Sequence, residues 1–155
     1  MKPIILNSSS VLELLANKEV RVFAPLKPCP LVIIKVVEDT AYVELVNMGP
    51  SVEIKCPYGN VGNTLWVRET IRAEELPTGL QGIRYRADNH FVQTKGEDAE
   101  ERWEMLYAPN PGAWIPAIFA PRWTSRITLI VKDIKVEPTQ WNGLYSWAWS
   151  VLCVI

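Results

Sequence analysis

Apolar and polar positions change period several times along the chain, and each change marks an element. Residues 3 to 6 are extended and apolar, and Asn7 and three serines then precede a run with helical spacing, Val11, Leu12, Leu14 and Leu15. Ser10 and Glu13 have the spacing of a capping box, in which each side chain satisfies an amide at the helix start. The pattern predicts a helix of about two turns that stops near Asn17, a residue type that tolerates the left-handed conformation used to end helices. An extended piece follows at Val20 to Val22. Pro25, Pro28 and Pro30 exclude helix from the next stretch, because their ring nitrogens carry no donor.

Strand signals then come in sequence: 31 to 37, 41 to 47 and 51 to 56. Their links, Glu38-Asp39-Thr40 and Met48-Gly49-Pro50, are of hairpin length, which predicts an antiparallel meander. After a turn at 56 to 60, residues 64 to 72 alternate strictly. Leu65, Val67, Glu69 and Ile71 share one face, and Trp66, Arg68, Thr70 and Arg72 the other. Glu69 is thereby placed among inward-pointing neighbours, where a carboxylate is costly unless it meets a partner or lines a pocket. A connection at 76 to 82 leads to a further period-two segment in which Ile83, Tyr85 and Ala87 oppose Arg84, Arg86 and Asp88. Residues 93 to 104 are polar and acidic and read as an exposed loop or short helix. The proline- and aromatic-rich stretch from Pro109 to Arg126 reads as irregular and partly buried. Long strands are expected at 127 to 136 and 146 to 155.

Composition narrows the picture. In 155 residues, 48% apolar and 21% charged, there is room for one compact domain. Twelve prolines, eight glycines and seven tryptophans favour short strands and turns over helical bundles. The expected fold is mainly β: a single domain over 1–155, a small barrel of about six or seven strands with one or two short helices. Sixteen Lys plus Arg against seventeen Asp plus Glu give a formal charge of -1, so polyanion binding would need a local patch. The opening residues lack the core of a signal peptide, and the longest aliphatic run is far short of a membrane span, so a soluble cytoplasmic protein is expected. Cys29, Cys56 and Cys153 show no Cys-x-x-Cys spacing, so neither a disulfide framework nor a zinc ribbon is indicated, and no cofactor is expected.

Three stretches together carry a resemblance: MKPIIL before a short helix, CPYGNVGNTLWVRET at 56 to 70, and WIPAIFAPRWTSRITLIVKDIKVE at 114 to 137. They resemble the small ASCH-domain proteins of bacteriophages and prophages, within the PUA-like β-barrel superfamily, with WAWSVLCVI at 147 to 155 as the closing strand. The resemblance spans nearly the whole chain. It implies a barrel with a cleft for RNA, a nucleotide or a modified nucleobase, and some relatives hydrolyse the acetyl amide of acetylcytidine. Relatives carry a Gly-x-Lys-x-x-Thr-x-Arg type motif just after the first helix. Here the lysine position reads Glu19 and the threonine position Val22, with Lys18 one residue early on the opposite strand face. The catalytic pair is therefore missing, and the activity is not carried over.

Glu69 is the candidate functional carboxylate. Its structural alternative is a buried ion pair with an arginine such as Arg126. Arg122, Trp123 and Arg126 form a local patch, since no acid occurs from 105 to 132. Arginine can fork onto phosphate and tryptophan can stack on a base; alternatively, Trp123 plugs the barrel and the arginines bond loop carbonyls or Glu69. Trp66 with Tyr85 and Arg86 divides in the same way between a nucleobase cage and cross-strand packing. His90, the only histidine, has no partner for a metal or nucleophilic site and reads as a surface turn residue. Cys29 and Cys56, each before a proline, could meet, but two thiols alone are a weak metal site. Ser8 to Ser10 fit helix capping, and Gly59 and Gly62 a tight turn.

The leading expectation is a non-enzymatic binding module for RNA or a nucleotide, with a cleft lined by Trp66, Arg68, Glu69, Arg86, Arg122, Trp123 and Arg126. The rivals are an amidohydrolase acting on acetylated cytidine or a ribonuclease, working through Glu69, and a phage accessory or assembly protein whose barrel is only a scaffold.

Overall fold

A computed structural model of the chain describes residues 1–141 and 144–155. The elements open with β1 (Lys2–Ile5), α1 (Ser8–Asn17), β2 (Glu19–Pro25), β3 (Val32–Val37), β4 (Thr40–Glu44) and β5 (Ser51–Lys55). Next come β6 (Thr64–Arg68), β7 (Ile71–Glu75), β8 (Gln81–Tyr85), β9 (Phe91–Gln93) and α2 (Ala99–Tyr107). Two single-turn 3-10 helices at Ala117–Phe119 and Arg122–Thr124 precede β10 (Thr128–Trp141) and β11 (Leu144–Val154). The fold is mainly β, as the period-two segments predict. It forms two compact units, one of residues 1–2, 17–65 and 128–155, the other of residues 3–16 and 66–127. Eleven strands are traced among the described residues rather than six or seven, and no closed barrel is traced among them.

In the first unit β3, β4 and β5 form the expected antiparallel meander, with Val37 opposite Thr40 and Glu44 opposite Ser51. Glu38 takes the left-handed φ of 53° that closes the first link. A second antiparallel array runs β10, β11, β2, with Val136 opposite Trp149 and Trp149 opposite Ala24. Both long strands outrun the sequence reading, because their pairing continues through Pro138 to Trp141 and back from Leu144. Strand β2 is also longer than Val20 to Val22; it lies at a sheet edge, where Pro25 at its end costs no ladder hydrogen bond. Alternate residues of these strands are buried: Val20, Ala41, Val43, Leu129, Val131, Trp149 and Val151.

In the second unit β7, β8 and β9 are antiparallel, with Ile71 opposite Tyr85 and Ile83 opposite Val92. The inner face of this sheet, Ile71, Ala73, Ile83 and Tyr85, packs with Trp103 of α2 and with Ile115 and Ala120. The Trp103 indole donates to the Gly82 carbonyl at 3.0 Å, which satisfies its one polar atom while the ring is buried. The acidic segment 93 to 104 thus ends in a helix anchored by Trp103, with its carboxylates outward.

Two local expectations are corrected. Helix α1 is capped by Asn7, whose side-chain oxygen accepts the Ser10 amide at 2.8 Å, so it begins at Ser8 and runs ten residues; Lys18, not Asn17, takes the left-handed position at φ 62°. The alternating run 64 to 72 is two strands rather than one. Val67 donates its amide to Ile127 and Ile71 donates to Ile115, so the backbone changes partner at Glu69 and Thr70.

Candidate functional site

The alternation around Glu69 survives that break. Leu65, Val67, Glu69 and Ile71 are all buried, and Arg68, Thr70 and Arg72 lie half-buried on the other side; Trp66, grouped with the latter, is buried as well. Glu69 retains 3% exposure. Arg126, two residues before β10, meets it with Nε donating to Oε2 and Nη2 to Oε1, both at 2.8 Å. The same guanidinium reaches Asp88, Nη1 donating at 2.8 Å and Nη2 at 3.1 Å. Its Cζ lies 4.0 Å from the centroid of the Tyr85 ring, and the Tyr85 hydroxyl donates to the Thr124 carbonyl at 2.6 Å.

These contacts set the electrostatics. Hydrogen bonds from Arg126 hold the Asp88 carboxyl below its usual range. Burial opposes charge on Arg126, but its bonds to Glu69 and Asp88 outweigh that cost and raise its pKa. Burial, with the Glu69 charge second, pushes the Tyr85 phenol up to about 12. One cation thus bridges two carboxylates over an aromatic floor, a bidentate geometry only arginine can supply. Both Glu69 oxygens are engaged and almost none of the residue faces solvent, so it is poorly presented to abstract a substrate proton.

Most of the remaining sequence candidates fall into two groups in the same unit, one about the Trp66 ring and one about the Trp114 ring. Trp66 carries two guanidinium groups over its ring, Arg68 at 4.8 Å and Arg122 at 5.3 Å. Arg68 also donates from Nη1 to the Ile118 carbonyl at 3.2 Å, which fixes the 117–119 turn beside it and presents Ile118 and Phe119 at 58% and 70% exposure. Arg68 Nε is buried without a partner. Arg86 lies 5.6 Å from the Trp114 ring, with Arg72 at 4.5 Å from the same ring. Arg72 reaches Glu74, as does Arg84, whereas Arg86 makes no ion pair among the described residues. Trp123 is packed against the core of the unit, so it serves the interior more than an open surface.

The structure therefore divides the predicted site residues into an internal lock, Glu69 and Arg126, two aromatics that serve the interior, Trp66 and Trp123, and arginines nearer the surface, Arg68 and Arg122 on the Trp66 ring and Arg86 on the Trp114 ring. Sequence reasoning missed Asp88 as the second carboxylate of the lock, Trp114 under Arg86, and Phe119 in the turn that Arg68 holds. Their only signal was position, Asp88 at the start of a turn and the two aromatics inside the acid-free segment.

In the first unit, Lys18 and Glu19 are exposed and Val22 is half-buried opposite Val151. Cys29 is exposed, its sulfur 3.6 Å from the Ser146 hydroxyl. The thiol that interacts electrostatically with Cys153 is Cys56, and burial pushes Cys153 up to about 11. The pairing considered for Cys29 and Cys56 is thus not seen, and no group of three metal-ligating side chains occurs among the described residues. His90 lies in an exposed turn, its amide on Asp88. No described helix is long and apolar enough to cross a membrane.

No family model, curated protein or solved structure matches the chain.

Proposed function

We propose that the chain is a binding module of the PUA-like, ASCH kind, encoded by a phage or prophage and acting in the bacterial cytoplasm. It holds single-stranded RNA or a nucleotide without catalysing its conversion. The observation that carries this reading is the pair of guanidinium groups on Trp66 beside the exposed Ile118–Phe119 turn, in a stretch without carboxylates. Aromatic and apolar faces accept stacked bases of any sequence, and neighbouring guanidiniums accept phosphate, a combination worth roughly 1–3 kcal/mol per stacked base. The opening order of strand, helix and strand and the antiparallel sheets support the PUA-like assignment, as does the resemblance in the 56–70 and 114–137 segments.

The engagement of Glu69 by Arg126 weighs against the hydrolase and ribonuclease readings. Binding of a fluorescein-labelled single-stranded RNA of mixed sequence, followed by anisotropy, tests the proposal. Phe119→Ala and Arg122→Ala are each expected to weaken binding about tenfold, the loss of roughly one stacked base or one phosphate contact. Unchanged affinity in both variants would remove the patch. Turnover of acetylcytidine that disappears in Glu69→Gln would replace the proposal with the hydrolase.

A further inference from the structure

The first unit contains a cavity of about 360 Å³, within the size range of small-molecule sites. It opens between the ends of β2 and β5 and the turn after β5. Its walls are flat and largely apolar: Pro25, Pro57 and Tyr58, with the almost fully buried Trp149 at its base. Two ammonium groups stand among the lining residues, Lys27 and Lys55, and no carboxylate does. Lys55 is held in place by donating to the Thr40 hydroxyl at 2.7 Å, with Asp39 at 4.0 Å. Lys27 is exposed and makes no ion pair among the described residues, and the Tyr58 hydroxyl makes no hydrogen bond among them.

An apolar, flat-walled cavity with cations at its edge and an unused phenol donor selects by shape and charge together. The walls favour a planar ring system, because stacking on proline and aromatic faces buries both sides of such a body. The lysines favour one anionic group at its edge, Lys27 above all, since Lys55 already faces Asp39. Proline at two wall positions removes backbone donors, so the polar recognition falls to Lys27, Lys55 and Tyr58.

We propose that this cavity is a second binding site, separate from the arginine and tryptophan surface of the other unit, for a small planar aromatic molecule carrying one anionic group. The test uses a matched pair of dyes: anilinonaphthalene sulfonate, whose naphthalene ring system is planar and carries one sulfonate, and its neutral analogue N-phenylnaphthylamine. The folded protein is expected to bind the anionic dye saturably at one site, with a rise in dye fluorescence. Lys27→Glu is expected to weaken the anionic dye about tenfold and to leave the neutral dye within about twofold. Ala24→Phe, which fills the cavity from β2, is expected to abolish both. Because that variant can fail for reasons of folding, nuclear Overhauser contacts between dye protons and the Tyr58 ring in the unmodified protein are the second measurement, and they should be present. Absence of saturable binding, an equal effect of Lys27→Glu on both dyes, unchanged binding in a folded Ala24→Phe, or no contact to Tyr58 would each overturn the proposal.

Discussion

Replacing Arg126 by alanine is the perturbation that most sharply separates a structural lock from a reactive centre. The substitution removes four hydrogen bonds of 2.8 to 3.1 Å and leaves Glu69, 3% exposed, without its counter-charge. Removing one partner of a buried pair costs about 3–5 kcal/mol, because the remaining charge stays desolvated. Glu69→Gln is milder: the amide oxygen still accepts from Arg126, and Asp88 still faces the guanidinium, so a loss of about 1–2 kcal/mol is expected. The double substitution removes the stranded charge, so its cost should fall short of the sum by about 2 kcal/mol. Urea denaturation followed by tryptophan fluorescence reads all three values. The difference between unmodified protein and Arg126→Ala should also shrink in acid. The depressed carboxyl of Asp88 contributes stability that is present above its ordinary pKa and lost as the pH falls through its lower folded value. Additive losses, or a cost below about 1 kcal/mol for Arg126→Ala, would refute the lock.

Two further outcomes follow from the second unit. Gly82→Ala should destabilise the protein by about 1–3 kcal/mol, measured by thermal denaturation, because a Cβ there would collide with the Val92 carbonyl and the Phe91 ring and separate β8 from β9. In alkali, Tyr85 should cost stability as the pH rises from its ordinary pKa of 10.0 to its folded value of about 12. Over that window the unfolded phenol ionises while the folded one stays protonated, for a loss of up to about 3 kcal/mol. Urea midpoints between these pH values should show a decline that Tyr85→Phe flattens.

The meander β3 to β5 was legible because short apolar runs are separated by links too brief for anything but hairpins. The burial of Glu69 and its partnership with Arg126 were also within reach, the first from strict alternation and the second from the cost of an unpaired buried carboxylate. The break at Glu69 and Thr70 was not. The side-chain pattern runs through it unchanged, and only the distant partners Ile127 and Ile115 decide where one strand ends and the next begins. Asn7 displaced Ser10 as cap because a capping signature names residue types but leaves the starting turn to local competition. Trp114 and Phe119 lie in a segment without period, where exposure depends on which carbonyl a remote arginine such as Arg68 reaches.

The salt dependence of RNA affinity tests the central claim most directly. Arg68, Arg86 and Arg122 offer a few phosphate contacts on a chain whose formal charge is -1, and single strands lose about 0.7 in logarithmic slope per neutralised phosphate. Measurable binding at low salt with a shallow slope of about -2 is expected, reduced by roughly one contact in Arg122→Ala. No binding at low salt, or a slope that Arg122→Ala leaves unchanged, would contradict it.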